Sequence, residues 1–224
     1  MNYNPRYPIP QLGFPIESYC ELFGAFGNGM VKDSPDAEPV YKVEHDEVKK
    51  ILELGDLLTF DAGRVGSNIM VKETRDSTIA WIDDNPQAQA LEMRQWLINR
   101  MQNIVAKVNR DKFQMDLDFF HPLQYTTYAL NQHYDWHVDT HEGMESDAQR
   151  KLSCVVMLTD PDEYEGGELE LNLGGNAEDG KTKLLKPPKG TAVFFYSHVP
   201  HRVRPVTKGK RVSLVLWAMG PKPR

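Results

Sequence analysis

The sequence predicts a mainly β fold with supporting helices, whose core is a double-sheet jelly roll, a double-stranded β-helix. Two patterns predict it. Beyond residue 111, apolar runs of strand length are separated by Gly, Pro and Asp turns, at 114–120, 123–130, 134–139, 151–159, 167–172, 181–186, 191–197, 201–206 and 211–219. About eight short strands with that punctuation pack most simply as two sheets. Before residue 111 the period changes, because Met93, Leu97, Met101, Ile104 and Val108 recur at helical spacings of three and four.

Each element follows from its residues. The first 40 residues, rich in Pro and Gly, read as irregular. His45 to Leu54 forms a short helix with Val48, Ile51 and Leu52 on one side, stopped by Gly55. The long helix runs from about Pro86 to Val108, capped by Asp84 or Asn85, and its Met-bearing stripe is a core face packed on a sheet. Two polar segments, Ala62 to Thr78 and Thr140 to Arg150, are either lids over a site or solvated connectors.

Composition fits one domain over residues 1–224, with 1–111 as a supporting part and 112–224 as a catalytic core. The formal charge of -6 gives no reason to propose nucleic acid as partner. Cys20 and Cys154 are the only cysteines, and Cys154 falls in an apolar strand, so no disulfide framework is expected. The amino terminus is polar, and no apolar run approaches the roughly 20 residues of a membrane span. A soluble, cytoplasmic protein is expected.

The chemistry lies in His137-Val-Asp139 and in His201. In an extended strand residues two apart project to the same side, so His137 and Asp139 can grip one ion and His201 can complete the set. Two histidines and a carboxylate on one face of an octahedron leave the other face open, the arrangement of non-haem Fe(II) oxygenases. An isolated His-x-Asp also occurs in loops and satisfied pairs, so the spacing alone leaves both readings open. The strand from Arg211 to Trp217 adds a second feature. Arg211, Ser213, Val215 and Trp217 share one face, and an arginine on an inner face implies an anionic ligand. A surface strand with its arginine in water is the alternative, since Lys208 and Lys210 resemble a solvated turn.

Over residues 123 to 219 the chain resembles the Fe(II)- and 2-oxoglutarate-dependent dioxygenases, and among them the prolyl 4-hydroxylase-like group that includes the PKHD-type hydroxylases. The resemblance is carried by Tyr128, His137-Val-Asp139, Leu152-Ser-Cys-Val-Val-Met-Leu158, Tyr164-Glu-Gly-Gly-Glu-Leu169, Lys189-Gly-Thr-Ala-Val-Phe194, His201 through Arg211, and Trp217. It implies a jelly-roll enzyme with His137, Asp139 and His201 as Fe(II) ligands. It further implies Arg211 on the distal carboxylate of 2-oxoglutarate, with Tyr128 and Ser213 beside that co-substrate. Trp217 and Tyr134 are expected in the pocket, with Phe194 or Phe195 helping to form an apolar wall. Dioxygen is the second co-substrate and L-ascorbate a further expected cofactor. The implied reaction is hydroxylation of an unactivated C–H bond, in a peptidyl proline first and in a free amino acid or small metabolite otherwise. Some prolyl 4-hydroxylases carry lysine where Arg211 stands.

Neighbouring groups compete for these roles. His141 continues the parity of His137 and Asp139 but enters a polar segment, and His198 precedes His201 by three residues without the register to Arg211 that the family pattern implies. His45, His121 and His133 lack partner spacing, and Asp160-Pro-Asp-Glu lacks the glycine and glutamate of a calcium loop. A nucleic-acid demethylase would carry an Arg-x-Asn-x-x-x-x-x-Arg signature, absent after His201. A non-catalytic metal-binding module would be expected to have lost part of the triad, and all three residues are present.

Overall fold

A computed structural model describes residues 20–24, 46–63, 74–82, 88–140, 148–173 and 182–222. Two helices and two main antiparallel sheets make up the described part. The larger sheet joins β1 (Cys20–Gly24), β12 (Thr191–Tyr196), β8 (Ala148–Met157), β15 (Arg211–Pro221), β6 (Gln124–Tyr128), β4 (Thr78–Trp81) and β2 (Asp61–Ala62) in that order, and β5 (Phe119–Phe120) pairs the far end of β15. The smaller sheet runs β11 (Thr182–Leu185), β10 (Leu169–Asn172), β13 (His201–Val203), β7 (His133–His137) and β3 (Arg75–Asp76). A two-stranded ribbon of β9 (Tyr164–Gly166) and β14 (Val206–Gly209) completes the list. The jelly roll expected from the strand pattern is therefore present.

The helices cover one face of the larger sheet. Helix α1 (Asp46–Asp56) buries Val48, Ile51 and Leu54, and α2 (Ala88–Val108) buries Leu97, Ile98, Met101, Ile104, Val105 and Val108. These residues share one apolar cluster with Leu214, Leu216 and Ala218 of β15 and with Cys154 and Val156 of β8. Gly55 does not stop α1, which continues to Asp56. Its role is contact: a Cβ there would lie 2.5 Å from the ring of Tyr125 on β6.

β1, β2, β3 and β4, all within residues 1–111, are strands of the two main sheets. Several expected elements differ in the structure. Residues 20–24, within the segment read as irregular, pair β12 along its length. The expected strand 114–120 shrinks to β5, because α2 runs on into a π-helical turn (Asn109–Phe113) closed by left-handed Gln114 at φ 51°. Asn109 then ties this turn to Met115, donating to its carbonyl and accepting its N–H at 2.9 Å each. The basic run after His201 splits at Arg204 and Pro205, so 206–209 turns away to pair β9. The expected caps Asp84 and Asn85, His45, and most of the two lid segments, His141 included, lie outside the described residues.

Candidate active site

The two sheets enclose a cavity of about 600 Å³. Period two selects its wall. Arg211, Ser213, Val215 and Trp217 of β15 all face it, as expected, and so do Gln124, Thr126 and Tyr128 of the neighbouring β6. The opposite wall comes from the smaller sheet, with Tyr134 and His137 on β7, Leu169 on β10, and His201 and Val203 on β13.

His137 and His201 are register partners across β7 and β13, which brings their ring centroids to 4.1 Å. Each ring is fixed by the same device. The Nδ1 of His137 lies 2.8 Å from the Asp135 carbonyl and that of His201 lies 2.9 Å from the Val199 carbonyl. A carbonyl only accepts, so each Nδ1 carries the proton and each Nε2 is left with a bare lone pair. Both lone pairs converge on Asp139. His137 Nε2 is 3.8 Å from its Oδ1 and His201 Nε2 is 3.5 Å from its Oδ2.

The sequence reading placed Asp139 on the same strand as His137, and here it needs correction. β7 ends at His137, and Asp139 stands in a bend, where its N–H donates to the Ser197 carbonyl at 2.9 Å. The three side chains converge nonetheless, with one ligand atom from each lying within 4.8 Å of the others, a grouping able to hold a metal ion. Asp139 and His201 are buried. Burial, then the neighbouring His201, hold the His137 imidazole down at about 3, so it is neutral at physiological pH. Burial alone would raise the Asp139 carboxyl, but His201 and His137 outweigh it and bring it to about 2. The site thus offers a neutral imidazole at His137 and a carboxylate at Asp139, the protonation states in which these groups ligate metal.

Arg211 lies fully inside, 1% exposed. Its Nη1 donates to Ser213 Oγ at 3.0 Å and its Nη2 reaches the Met157 sulfur at 3.5 Å, while its Nε has no partner. Its Cζ sits 5.3 Å from the ring centroid of Tyr128, its register partner on β6. Among the described residues no carboxylate pairs with it. A buried guanidinium with an idle donor and only neutral neighbours is built to receive an anion. The donor set therefore fits both parts of the expected cofactor pair: a divalent metal on the triad and a dicarboxylate reaching Arg211.

Tyr134 and Trp217 also reach the cavity. Tyr134 stacks on His137 at 3.5 Å, with planes 13° apart, and the Arg75 guanidinium lies 4.5 Å from its ring centroid. Trp217 carries Arg150 over its ring at 3.9 Å. Neither candidate phenylalanine lines the cavity. Phe194 and Phe195 both belong to the apolar core, and Phe195 supports His201 from behind with rings 4.7 Å apart. His198 is exposed and stacks on Tyr196, and His121 packs edge-on against Trp81 and Trp217. Sequence reasoning missed Arg75, Arg150 and Gln124. Arg75, held by Ser77 and Gln124 at 2.9 Å each, occupies a strand of only two residues that no periodicity marks.

Comparison with known proteins places this geometry. Residues 123–219 match the sequence pattern of the 2OG-Fe(II) oxygenase superfamily. A PKHD-type hydroxylase of Janthinobacterium sp. (strain Marseille) is 33% identical over 100 residues, 43% of this chain and 42% of that protein. One from Polaromonas sp. (strain JS666 / ATCC BAA-500) is 37% identical over 89 residues, 38% of this chain and 37% of the relative. The chain thus spans about four tenths of the length of the curated relatives it matches. Among solved structures, a Pseudomonas putida prolyl-4-hydroxylase superposes with a TM-score of 0.53 at 27% identity, over 77% of this chain and 82% of its own. A Trichoplax adhaerens prolyl hydroxylase, solved with a hypoxia inducible factor peptide, shares the fold with a TM-score of 0.59 at 21% identity, over 77% and 76% of the two chains. Over residues 123–219 this chain is therefore similar to the 2OG-Fe(II) oxygenase superfamily.

Proposed function

We propose that this protein is an Fe(II)- and 2-oxoglutarate-dependent dioxygenase that hydroxylates an unactivated C–H bond, most readily in a peptidyl proline, with release of succinate and CO2. The observation that carries the reading is the placement of a buried arginine, without an acidic partner among the described residues, in the same cavity as a His/Asp/His cluster. His137, Asp139 and His201 would hold the iron through Nε2, a carboxylate oxygen and Nε2. Arg211, steadied by Ser213 and lying over Tyr128, would grip the distal carboxylate of 2-oxoglutarate. The bound metal and co-substrate supply dioxygen activation and the oxidant, with L-ascorbate as reductant for iron that leaves the ferrous state. The protein's own part is orientation and exclusion of water. The apolar side chains of Val155, Leu169 and Val203 and the indole of Trp217 would keep solvent from the reacting centre.

The proline reading rests on the prolyl hydroxylases among the solved relatives and on the Trp217 ring at the cavity wall, a flat apolar surface suited to a pyrrolidine. One observation favours a second reading. Among the described residues, Arg75 and Arg150 line the cavity beside Arg211 against Asp61 and Asp139, a balance that also suits a small carboxylate substrate such as a free amino acid. We place the protein in the cytoplasm; among the described residues no helix is long and apolar enough to cross a membrane.

Substrate-dependent succinate formation decides between these readings. The protein, loaded anaerobically with Fe(II) and then given 2-oxoglutarate and air, is screened against proline peptides and free amino acids, with mass spectrometry for the gain of one oxygen. Turnover confined to peptides supports the first reading and turnover of free amino acids the second. No 2-oxoglutarate consumption, coupled or uncoupled, from iron-loaded protein would overturn both.

A further inference from the structure

Asp139 reaches the cavity from a bend beyond the end of β7, where no strand ladder fixes its backbone. A carboxylate so placed has two side-chain torsions to settle, and an ion site tolerates only a narrow range of them. Two serines settle them. Ser153, in the middle of β8, and Ser197, just past the end of β12, are both 0% exposed. Ser153 Oγ donates to Asp139 Oδ2 at 2.7 Å and lies 2.9 Å from Ser197 Oγ.

The direction of these bonds follows from the chemistry. Ionised Asp139 can only accept, so the single Ser153 proton goes to the carboxylate, and the Ser197 hydroxyl must then donate to Ser153. The result is a one-way relay, Ser197 to Ser153 to Asp139, in which each bond polarises the next. Ser197 also acts through its backbone. Its carbonyl accepts the N–H of Asp139 at 2.9 Å and that of Thr140 at 3.2 Å. The same residue opens the turn that delivers His201, so one clamp ties together the segments bearing two of the three cluster residues.

We propose that Ser153 and Ser197 are positioning residues for the Asp139 carboxylate, Ser153 by direct donation to Oδ2 and Ser197 by orienting Ser153. This rests on the reading of the cluster as the iron site. Nothing in the packing calls for hydroxyls at these positions. Ser153 precedes Cys154 and the apolar run to Leu158 in a strand whose buried residues are otherwise almost all apolar, and a buried hydroxyl costs free energy unless it is used. Held by Ser153 through Oδ2, the carboxylate keeps Oδ1, the oxygen that lies nearer His137, available to an ion.

The test is anaerobic titration of the whole protein with Co(II), followed by visible absorption, with circular dichroism as a check on folding. Ser153→Ala should bind Co(II) about 10- to 100-fold more weakly, the range for loss of a partner that orients a metal ligand. Ser153→Thr, which keeps the hydroxyl, should recover affinity. The double variant Ser153→Ala/Ser197→Ala should bind no more weakly than Ser153→Ala, because Ser197→Ala keeps the carbonyl and its hydroxyl acts only through Ser153. That cycle stands even if the threonine variant folds poorly. Ser197→Ala alone should weaken Co(II) measurably but less than Ser153→Ala; a folded Ser153→Ala with wild-type affinity would overturn the proposal, as would a silent Ser197→Ala or a Ser197→Ala loss that persists in full in the Ser153→Ala background. Wild-type protein that binds no more Co(II) than His137→Ala would instead sink the iron-site reading, and this is seen before any serine variant is compared.

Discussion

Replacing Arg211 with methionine should make the protein more stable and less functional at once. In the absence of a dicarboxylate, Arg211 is a fully buried cation whose Nε lacks a partner and whose neighbours, among them a hydroxyl, a thioether and the Tyr128 ring, are uncharged. Leaving one buried donor unsatisfied costs about 1–3 kcal/mol, and a methionine of similar length removes that cost while keeping most of the packing. In a chain of this size each kcal/mol moves Tm by about 2–4 °C, so Arg211→Met should melt about 2–12 °C higher. Co-substrate binding moves the other way. Loss of one charge-assisted hydrogen bond, about 1.5–3 kcal/mol, weakens 2-oxoglutarate roughly 10- to 150-fold. At a concentration about 100 times the wild-type Kd, the ligand stabilises wild type by about 2.7 kcal/mol, and the same concentration stabilises a variant weakened 100-fold by only about 0.4 kcal/mol. Thermal denaturation with Mn(II), with and without 2-oxoglutarate, reads both effects. A variant that melts lower than wild type and keeps the full ligand-induced shift would show that Arg211 is a structural cation and not a co-substrate anchor.

The other expectations concern the cluster. Alanine at His137 or His201 should abolish iron retention and turnover, whereas His198→Ala should leave both intact; metal analysis after desalting checks this, and a dead His198→Ala with an active His201→Ala would reverse the assignment. Asp139→Ala should weaken iron and nearly eliminate hydroxylation, and because the carboxylate occupies the place a halide would otherwise take, wild type in excess chloride should yield only hydroxylated product by mass spectrometry. The metal-free protein should lose stability as pH falls from about 6.5, where an unfolded histidine begins to take up a proton, toward the value of about 3 for buried His137. Asp139 adds a loss of the same sign between 3.8 and about 2, since the unfolded chain again protonates first. Urea midpoints for the metal-free protein at pH 7 and pH 5 test the histidine part, and His137→Gln should flatten the slope; equal midpoints in wild type would contradict it.

Much of this was legible in the sequence, for a physical reason that differs by residue. On β15 each side chain has only two directions, so the inward set from Arg211 to Trp217 follows from parity once the strand is recognised. His201 was separated from His198 by its register to Arg211 in the family pattern, and it is His201 that lies in the cluster. Asp139 was identified for a reason that proved incomplete: parity holds along a strand, and the strand ends two residues earlier, so the carboxylate owes its place to Ser197. Arg75 and residues 20–24 were out of reach. Their strands form because edges of the two sheets accept them, a tertiary effect that leaves no periodic mark in segments this short. The Ser153 and Ser197 pair was hidden in the same way, since two serines in apolar runs carry no signal until the fold brings their hydroxyls together.

The position of β15 between β8 and β6 has a consequence for synthesis. Both neighbours precede it in the chain by many residues, and neither pairs with the other in the finished sheet. While the ribosome is still working toward Arg211, β6 and β8 each present a row of unpaired N–H and C=O groups, and the larger sheet exists as two halves. The halves join, and the cavity gains the wall that carries Arg211, in one event when β15 emerges. His137, Asp139 and His201 all precede that strand, so a chain halted before it carries the three cluster residues without the arginine that completes the cavity, and its unpaired edges make it an aggregation hazard.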